Sequence, residues 1–276
     1  MTDLINQFLR DCAREGKRPS TVETYAMRLK SFVAWLELTG HRFAAVGHPQ
    51  IEDYKRYLFD RGLQPATIKG HLTSVAVLYQ WAQRQGMVRQ CPVTKQDYPK
   101  PRPVRIKRLT DEQLRLFVAY IDQRQENLRA AFWCLLGSGA RVGEVAKLCA
   151  TDVTLRGRAV YLAIHDAKWG SDRTIPVLNA EAARIVWTFR QTVPVDKRPL
   201  FRVSRRTLQR YATEFAQQTG VPFKCHLLRH TYAALLTEQG VPLPTIQYLL
   251  GHKSLNMTAY YAQSALVDLD NLTPKI

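Results

Sequence analysis

Acidic residues are scarce: 23 Asp and Glu stand against 40 Lys and Arg, giving a formal net charge of +17 and a pI near 9.9. An excess of that size disfavours a neutral scaffold and points to a polyanionic partner. The cysteines are few and unpatterned. Cys12, Cys91, Cys134, Cys149 and Cys225 are odd in number and lack C-x-x-C spacing. That excludes a disulfide framework and a thiolate zinc site, and fits reduced thiols in a cytoplasmic protein. Long apolar runs are also missing. The longest uncharged one, residues 130–140, is too short to cross a bilayer. The opening MTDLINQFLRDC carries acids and no apolar core, so no signal peptide is expected. A long basic amphipathic helix, which a membrane-surface protein would need, is absent too. So are a glycine-rich phosphate loop, a carboxylate cluster suited to Mg²⁺ and internal repeats, so no cofactor or metal is expected.

What is present is helix, charge and one short basic, proline-rich stretch. Residues 1–90 read as four amphipathic helices. The first has an apolar stripe from Leu4 to Cys12, and Pro19, Pro49 and Pro65 open the others. Gly40, Gly62 and Gly86 end those three, and short loops between antiparallel helices make a small bundle. Residues 91–108 hold Pro99, Pro101 and Pro103 among Lys100, Arg102, Arg105 and Lys107, and read as an extended basic linker able to track a charged backbone. The charge is not confined to it: residues 1–103 carry 16 basic and 9 acidic groups, and residues 104–276 carry 24 and 14. Residues 109–276 read as a second domain. Thr110 caps a helix, Leu128 to Gly137 is a more apolar one, and strand-like alternation runs over 151–178 with turns at Gly157 and Gly170-Ser171-Asp172. A helix follows from Glu181 to Arg190. Ser204 caps another that carries Arg205, Arg206 and Arg210.

The chemistry concentrates in HLLRHTYAALLTEQGVPLPTIQYLLGHKSLNMTAYY, residues 226–261. His226 and Arg229 are three apart and share a helix face, His252 follows the helix-ending Gly251, and Tyr260 and Tyr261 sit on a helix that Ser254 can cap. Singly, each has an ordinary reading: a capping imidazole, a surface cation, a half-buried phenol. Together, in a strongly basic chain, they are what attack on a phosphodiester by tyrosine requires. Arginine clamps the non-bridging oxygens, imidazole accepts a proton and the phenol is the nucleophile. Cys225 beside His226 offers a thiol nucleophile as a weaker reading, since adjacent residues on a helix point apart.

H-L-L-R-H, then L-G-H, then Tyr261 nine residues after His252, resembles the signature of the tyrosine recombinases, or phage-type integrases. The resemblance implies a mainly α fold with a small antiparallel sheet: an N-terminal, SAM-like core-binding bundle (1–90), the linker (91–108) and a catalytic domain (109–276). It implies Arg141 as a first catalytic arginine, Glu144 as the acid that orients that region, and Lys168, eight residues before Pro176, as a hairpin lysine. With His226, Arg229, His252 and Tyr261 these make the catalytic set. Arg205, Arg206 and Arg210 become candidate DNA contacts, as do Lys100, Arg102, Arg105 and Lys107. The function implied is site-specific cleavage and rejoining of double-stranded DNA through a 3′-phosphotyrosyl intermediate, by a homotetramer on paired sites, with a partner recombinase or accessory proteins left open. The size resembles Xer-type and plasmid resolvase members. Two alternatives share the chain's features: a type IB topoisomerase-like relaxing enzyme, and a non-enzymatic DNA-binding protein that keeps the fold.

Overall fold

The computed structural model describes residues 1–100, 108–165 and 172–252 of the chain. Two compact units divide it, Met1–Val104 and Arg105–Ile276.

The first unit holds α1 (Thr2–Arg14), α2 (Pro19–Thr39), α3 (His48–Asp60) and α4 (Pro65–Arg84). Proline in the first turn of α2, α3 and α4 occupies a position whose N–H has no partner inside the helix, so it starts each one without loss. The buried stripes meet in an aromatic centre, where Phe32 packs edge-on to Tyr54 at 5.0 Å and lies beside Trp35 and Tyr79. Trp81 takes its polar edge to the α1 carboxylate, its indole N–H donating to Asp11 at 3.2 Å.

The stretch expected to be linker from residue 91 onward is in part folded onto this unit. Cys91, Val93 and Tyr98 pack against the same core, and a 3₁₀ turn over Lys95–Asp97 is closed by the Asp97 carboxylate, which accepts from the Thr94 backbone N–H and hydroxyl. Three apolar side chains and a local cap outweigh the prolines there. Lys100 is exposed, while Arg102, Arg105 and Lys107 lie outside the described residues.

The second unit contains α5 (Asp111–Asp122), α6 (Glu126–Ser138), α7 (Val142–Val145), β1 (Val153–Arg156), β2 (Ala159–Ile164), β3 (Arg173–Pro176), α8 (Ala180–Thr192), α9 (Arg205–Thr219), α10 (Cys225–Glu238) and α11 (Leu243–Leu250). The caps expected at Thr110 and Ser204 form: each hydroxyl accepts a backbone N–H three residues on, from Gln113 at 3.2 Å and Thr207 at 3.0 Å. Such a cap contributes about 1 kcal/mol. Helix α6 is buried from Ala130 through Ser138, so it is the central element on which the others pack. The sheet runs β1-β2-β3, all antiparallel, with Val153 and Ile175 flanking Leu162. It presents Val160, Leu162, Ile164 and Ile175 to the core. No helix among the described residues is long and apolar enough to cross a membrane.

Candidate active site

Three arginines, from three different elements, converge on one helix end. Helix α11 stops at Gly251, whose left-handed φ of +62° turns the chain out and leaves the final carbonyls without helical donors. Arginine side chains supply them. Arg173 Nε donates to the Leu249 carbonyl at 2.9 Å, Arg229 Nη2 to Leu250 at 2.6 Å, and Arg141 Nη2 to Gly251 at 3.0 Å. A helix C-terminus carries partial negative charge, which favours cations at these positions.

Each arginine reaches this point for a local reason. Helix α6 ends at Gly139 in the left-handed conformation (φ +63°), so the apolar helix does not continue into Arg141, which instead caps the short α7. Glu144 closes that turn. It accepts from the Arg141 backbone N–H at 2.8 Å and from Nη1 at 2.7 Å. The Arg141–Glu144 spacing therefore forms a partly buried cap rather than a surface ion pair. Arg229 projects from α10 and is only 2% exposed, its Nη1 held by the Gly139 carbonyl at 2.9 Å. Arg173 enters from β3 and its Nη2 lies 3.0 Å from Glu144 Oε2.

The electrostatics follow from that packing. Burial alone would push the Glu144 carboxyl up, but hydrogen bonds and charge from Arg173, with those from Arg141, outweigh it and hold it below the usual carboxylate range. The imidazoles move the other way. Burial, then the Arg229 and Arg141 charges, takes His252 down to about 3. His226 is lowered by the same causes, although the residue as a whole is exposed. His230, one turn along α10, packs edge-on to His226 with ring centroids 4.5 Å apart and is lowered to about 4, by burial first and then His226. All three are neutral near pH 7. A neutral His226 can accept a proton, and a neutral His252 can still donate one hydrogen bond.

Of the residues singled out in the sequence, Arg141, Glu144, His226, Arg229 and His252 thus share one neighbourhood. Lys168 and Tyr261 lie outside the described residues. Arg205, Arg206 and Arg210 are exposed on α9. The Arg205 Cδ lies 3.9 Å from where a Cβ on Gly143 would be, so the start of α9 adjoins α7. Cys225 is buried with its thiol pushed up to about 11, chiefly by burial, which argues against a nucleophilic role. Arg173 was not anticipated. Its signal was strand parity: it lies in phase with buried Ile175, where a cation needs an internal partner.

One described group has metal-binding spacing, His48, Glu52 and Asp97 in the first unit, with donor atoms within 4.8 Å of one another. Contacts within the protein account for it: Lys55 pairs with Glu52 at 2.5 Å, and His48 Nδ1 lies 3.1 Å from Asp97.

Known proteins resemble this chain across both units. Residues 107–266 match the phage integrase family, and residues 5–86 match the phage integrase N-terminal SAM-like domain. The chain is 26% identical to a protein of Pyrococcus furiosus named tyrosine recombinase XerA, over 95% of this chain and 90% of that one. It is 28% identical to tyrosine recombinase XerC of Neisseria meningitidis serogroup B, over 97% and 92%. Among solved structures, a lambda integrase dimer bound to a COC′ core site shares the fold with a TM-score of 0.77 at 20% identity, over 100% of this chain and 80% of that one. The recombinase XerH bound to a palindromic difH substrate does so at 0.72 and 20%, over 94% and 81%.

Proposed function

Because the chain belongs to the phage integrase family, enzymes that cleave and rejoin DNA at specific sites, we propose that Tyr261 is its nucleophile and that Arg141, Lys168, His226, Arg229 and His252 surround the phosphodiester it attacks. The observation that carries this reading is the helix end bound by three guanidiniums. Arg141, Arg173 and Arg229 bring three positive charges to a place where Glu144 supplies one negative charge. A net positive, largely dehydrated centre favours an anion whose charge grows in the transition state, and does so without reorganising.

The phenol of Tyr261 has an ordinary pKa of about 10, so attack needs a base and nearby cations. His226, held neutral by its surroundings, takes the phenolic proton as the oxygen bonds to phosphorus. Arg141 and Arg229 bind the non-bridging oxygens, with the helix-end carbonyls fixing the plane of each guanidinium. His252 donates a further hydrogen bond. The bond from phosphorus to the 5′ oxygen breaks, and Lys168 gives that oxygen its proton. The 3′-phosphotyrosyl bond conserves the energy of the broken phosphodiester, so attack by another 5′ hydroxyl restores the strand and frees the tyrosine. Removing one preorganised donor of this kind costs about 2.7–4 kcal/mol of barrier.

Double-stranded DNA is the partner in this reading, and the solved relatives described as bound to core-site and difH DNA support it. Arg205, Arg206 and Arg210, exposed on α9 beside the cluster, and Lys100, Arg102, Arg105 and Lys107 before it, contact phosphates or base edges. Four copies acting on two paired sites complete the exchange. The test is to trap covalent adducts on host and plasmid DNA and sequence the attached ends. A recurring sequence at the junctions is expected, and adducts scattered without one, or none at all, contradict site-specific exchange.

A further inference from the structure

We propose that Arg173 is a positioning residue for DNA cleavage, one that ties Glu144 to the end of α11 and thereby holds Arg141 and His252 in register. The proposal rests on the cleavage site described above and assigns it a part that touches no substrate. Arg173 is 7% exposed and lies at the inward phase of β3. Its guanidinium faces two ways at once. On one side, Nη2 and Nη1 meet the two oxygens of Glu144 at 3.0 and 3.4 Å. On the other, Nε donates to the Leu249 carbonyl at 2.9 Å. Glu144 in turn fixes Arg141 through both its backbone and its side chain, and Arg141 returns to Gly251, the residue before His252. The circuit closes: β3, α7 and the end of α11 are joined through one buried cation.

The fit around it is tight. A Cβ on Gly251 would stand 2.8 Å from Arg173 Nη1 and 2.9 Å from Cζ, so the glycine between Leu250 and His252 is required by this guanidinium as well as by its left-handed φ. Burial makes the pair consequential. With Arg173 gone, Glu144 keeps Arg141 as its one direct partner among the described residues, a desolvated carboxylate takes up a proton more readily, and a protonated Glu144 accepts fewer of the Arg141 hydrogen bonds. Arg141 on its own turn and Arg173 on β3 contact Glu144 directly, and Lys147, Asp152, His165, Asp196 and Lys197 line the cleft on which it also opens. The His252 imidazole also feels the Arg173 charge, and that charge is missing from both Arg173→Gln and Arg173→Gln with Glu144→Gln, so the ratio of those two rates isolates Glu144.

Covalent adduct formation on a nicked duplex bearing the trapped sequence tests this, with DNA binding measured separately. Arg173→Gln is expected to bind DNA within a few-fold of the parent protein and to form adduct about 10²-fold more slowly. Its rate relative to the parent falls further as pH is lowered from about 8 to about 6, toward the range of a raised carboxyl. In Arg173→Gln with Glu144→Gln the part of that pH dependence carried by Glu144 disappears, and the combined loss is smaller than the product of the two single losses. Arg173→Lys, which keeps the charge, retains more activity than Arg173→Gln. Should Arg173→Gln fail to fold, the same pH ratio and double-variant comparison are read on Arg173→Lys. A folded Arg173→Gln that cleaves at the parental rate overturns the proposal, as does a loss that is independent of pH and multiplies with Glu144→Gln. Absence of adduct from the parent protein itself would instead overturn the cleavage reading on which the proposal rests.

Discussion

Gly139→Ala isolates the backbone device on which the arginine cluster depends. Gly139 sits at φ +63°, and a Cβ there would lie 2.3 Å from Tyr232 Cδ1, with two further ring atoms at 2.8 and 2.9 Å. Tyr232 is 5% exposed and cannot swing into solvent. The left-handed conformation alone costs a side chain about 1–2 kcal/mol, and forcing a methyl into a packed ring adds about 1–3 kcal/mol. In a domain of this size each kcal/mol lowers the melting temperature by roughly 2–4 °C, so the variant should melt roughly 4–20 °C below the parent. Gly157 supplies the control. Its φ is nearly the same at +61°, but nothing lies within 4 Å of an added Cβ, so Gly157→Ala should lose only the conformational part, roughly 2–8 °C. Function separates the two further. The Gly139 carbonyl holds Arg229, and the turn it makes places Arg141 two residues on, so Gly139→Ala should slow covalent adduct formation well below its melting range while Gly157→Ala does not. Calorimetry and an adduct gel read both. Equal melting losses and equal cleavage rates for the two variants would refute the reasoning.

Lys168→Ala should recover cleavage on a duplex with sulfur at the bridging 5′ position, since a thiolate leaves without a proton, whereas Arg229→Ala should gain little; equal rescue of both, or of neither, removes Lys168 from the general-acid role. His252 has its folded pKa lowered to about 3 from an ordinary 6.5, so the unfolded chain binds more protons between those values and stability is lost as pH falls below about 6.5. His252→Gln should therefore flatten stability against pH in that window, and denaturation curves that stay parallel to the parent's would contradict the assignment. Stopping the chain after Gln263 removes Leu266, Val267, Leu269 and Leu272, apolar side chains that need a surface to dock on. Single-site DNA binding should persist and complexes of two sites should vanish, which a gel-shift ladder distinguishes from a tail that only packs on its own domain.

Much of the fold was legible because its signals are local. Pro19 and Pro65 start helices in the first turn, Thr110 and Ser204 cap theirs, and the alternation over 159–164 is a strand whose inward residues are Val160, Leu162 and Ile164. The family resemblance supplied the order of Arg141, His226, Arg229 and His252. What lay beyond the sequence is how those residues are held. That Leu249, Leu250 and Gly251 would each offer a carbonyl to a different arginine depends on where α11 ends relative to α7, α10 and β3, a tertiary relation no spacing encodes. Arg173 is not legible for its part because a basic residue after a turn reads as solvent-facing until the strand's phase is known. The docking of residues 91–98 onto the first unit is hidden for a related reason. Proline and lysine dominate the composition of 91–108, while the three side chains that dock, Cys91, Val93 and Tyr98, are unevenly spaced and show no period.

In the proposed reaction this chain breaks DNA through Tyr261. Tyr260 and Tyr261 are adjacent, so on a helix their side chains lie about 100° apart and only one can face the phosphate. The decisive measurement compares Tyr261→Phe with Tyr260→Phe on a nicked duplex bearing the captured site, scoring DNA binding by gel shift and the covalent product by denaturing gel. Tyr261→Phe should bind like the parent and form no adduct, and Tyr260→Phe should form it. A covalent product from Tyr261→Phe, or its loss only in Tyr260→Phe, contradicts the account.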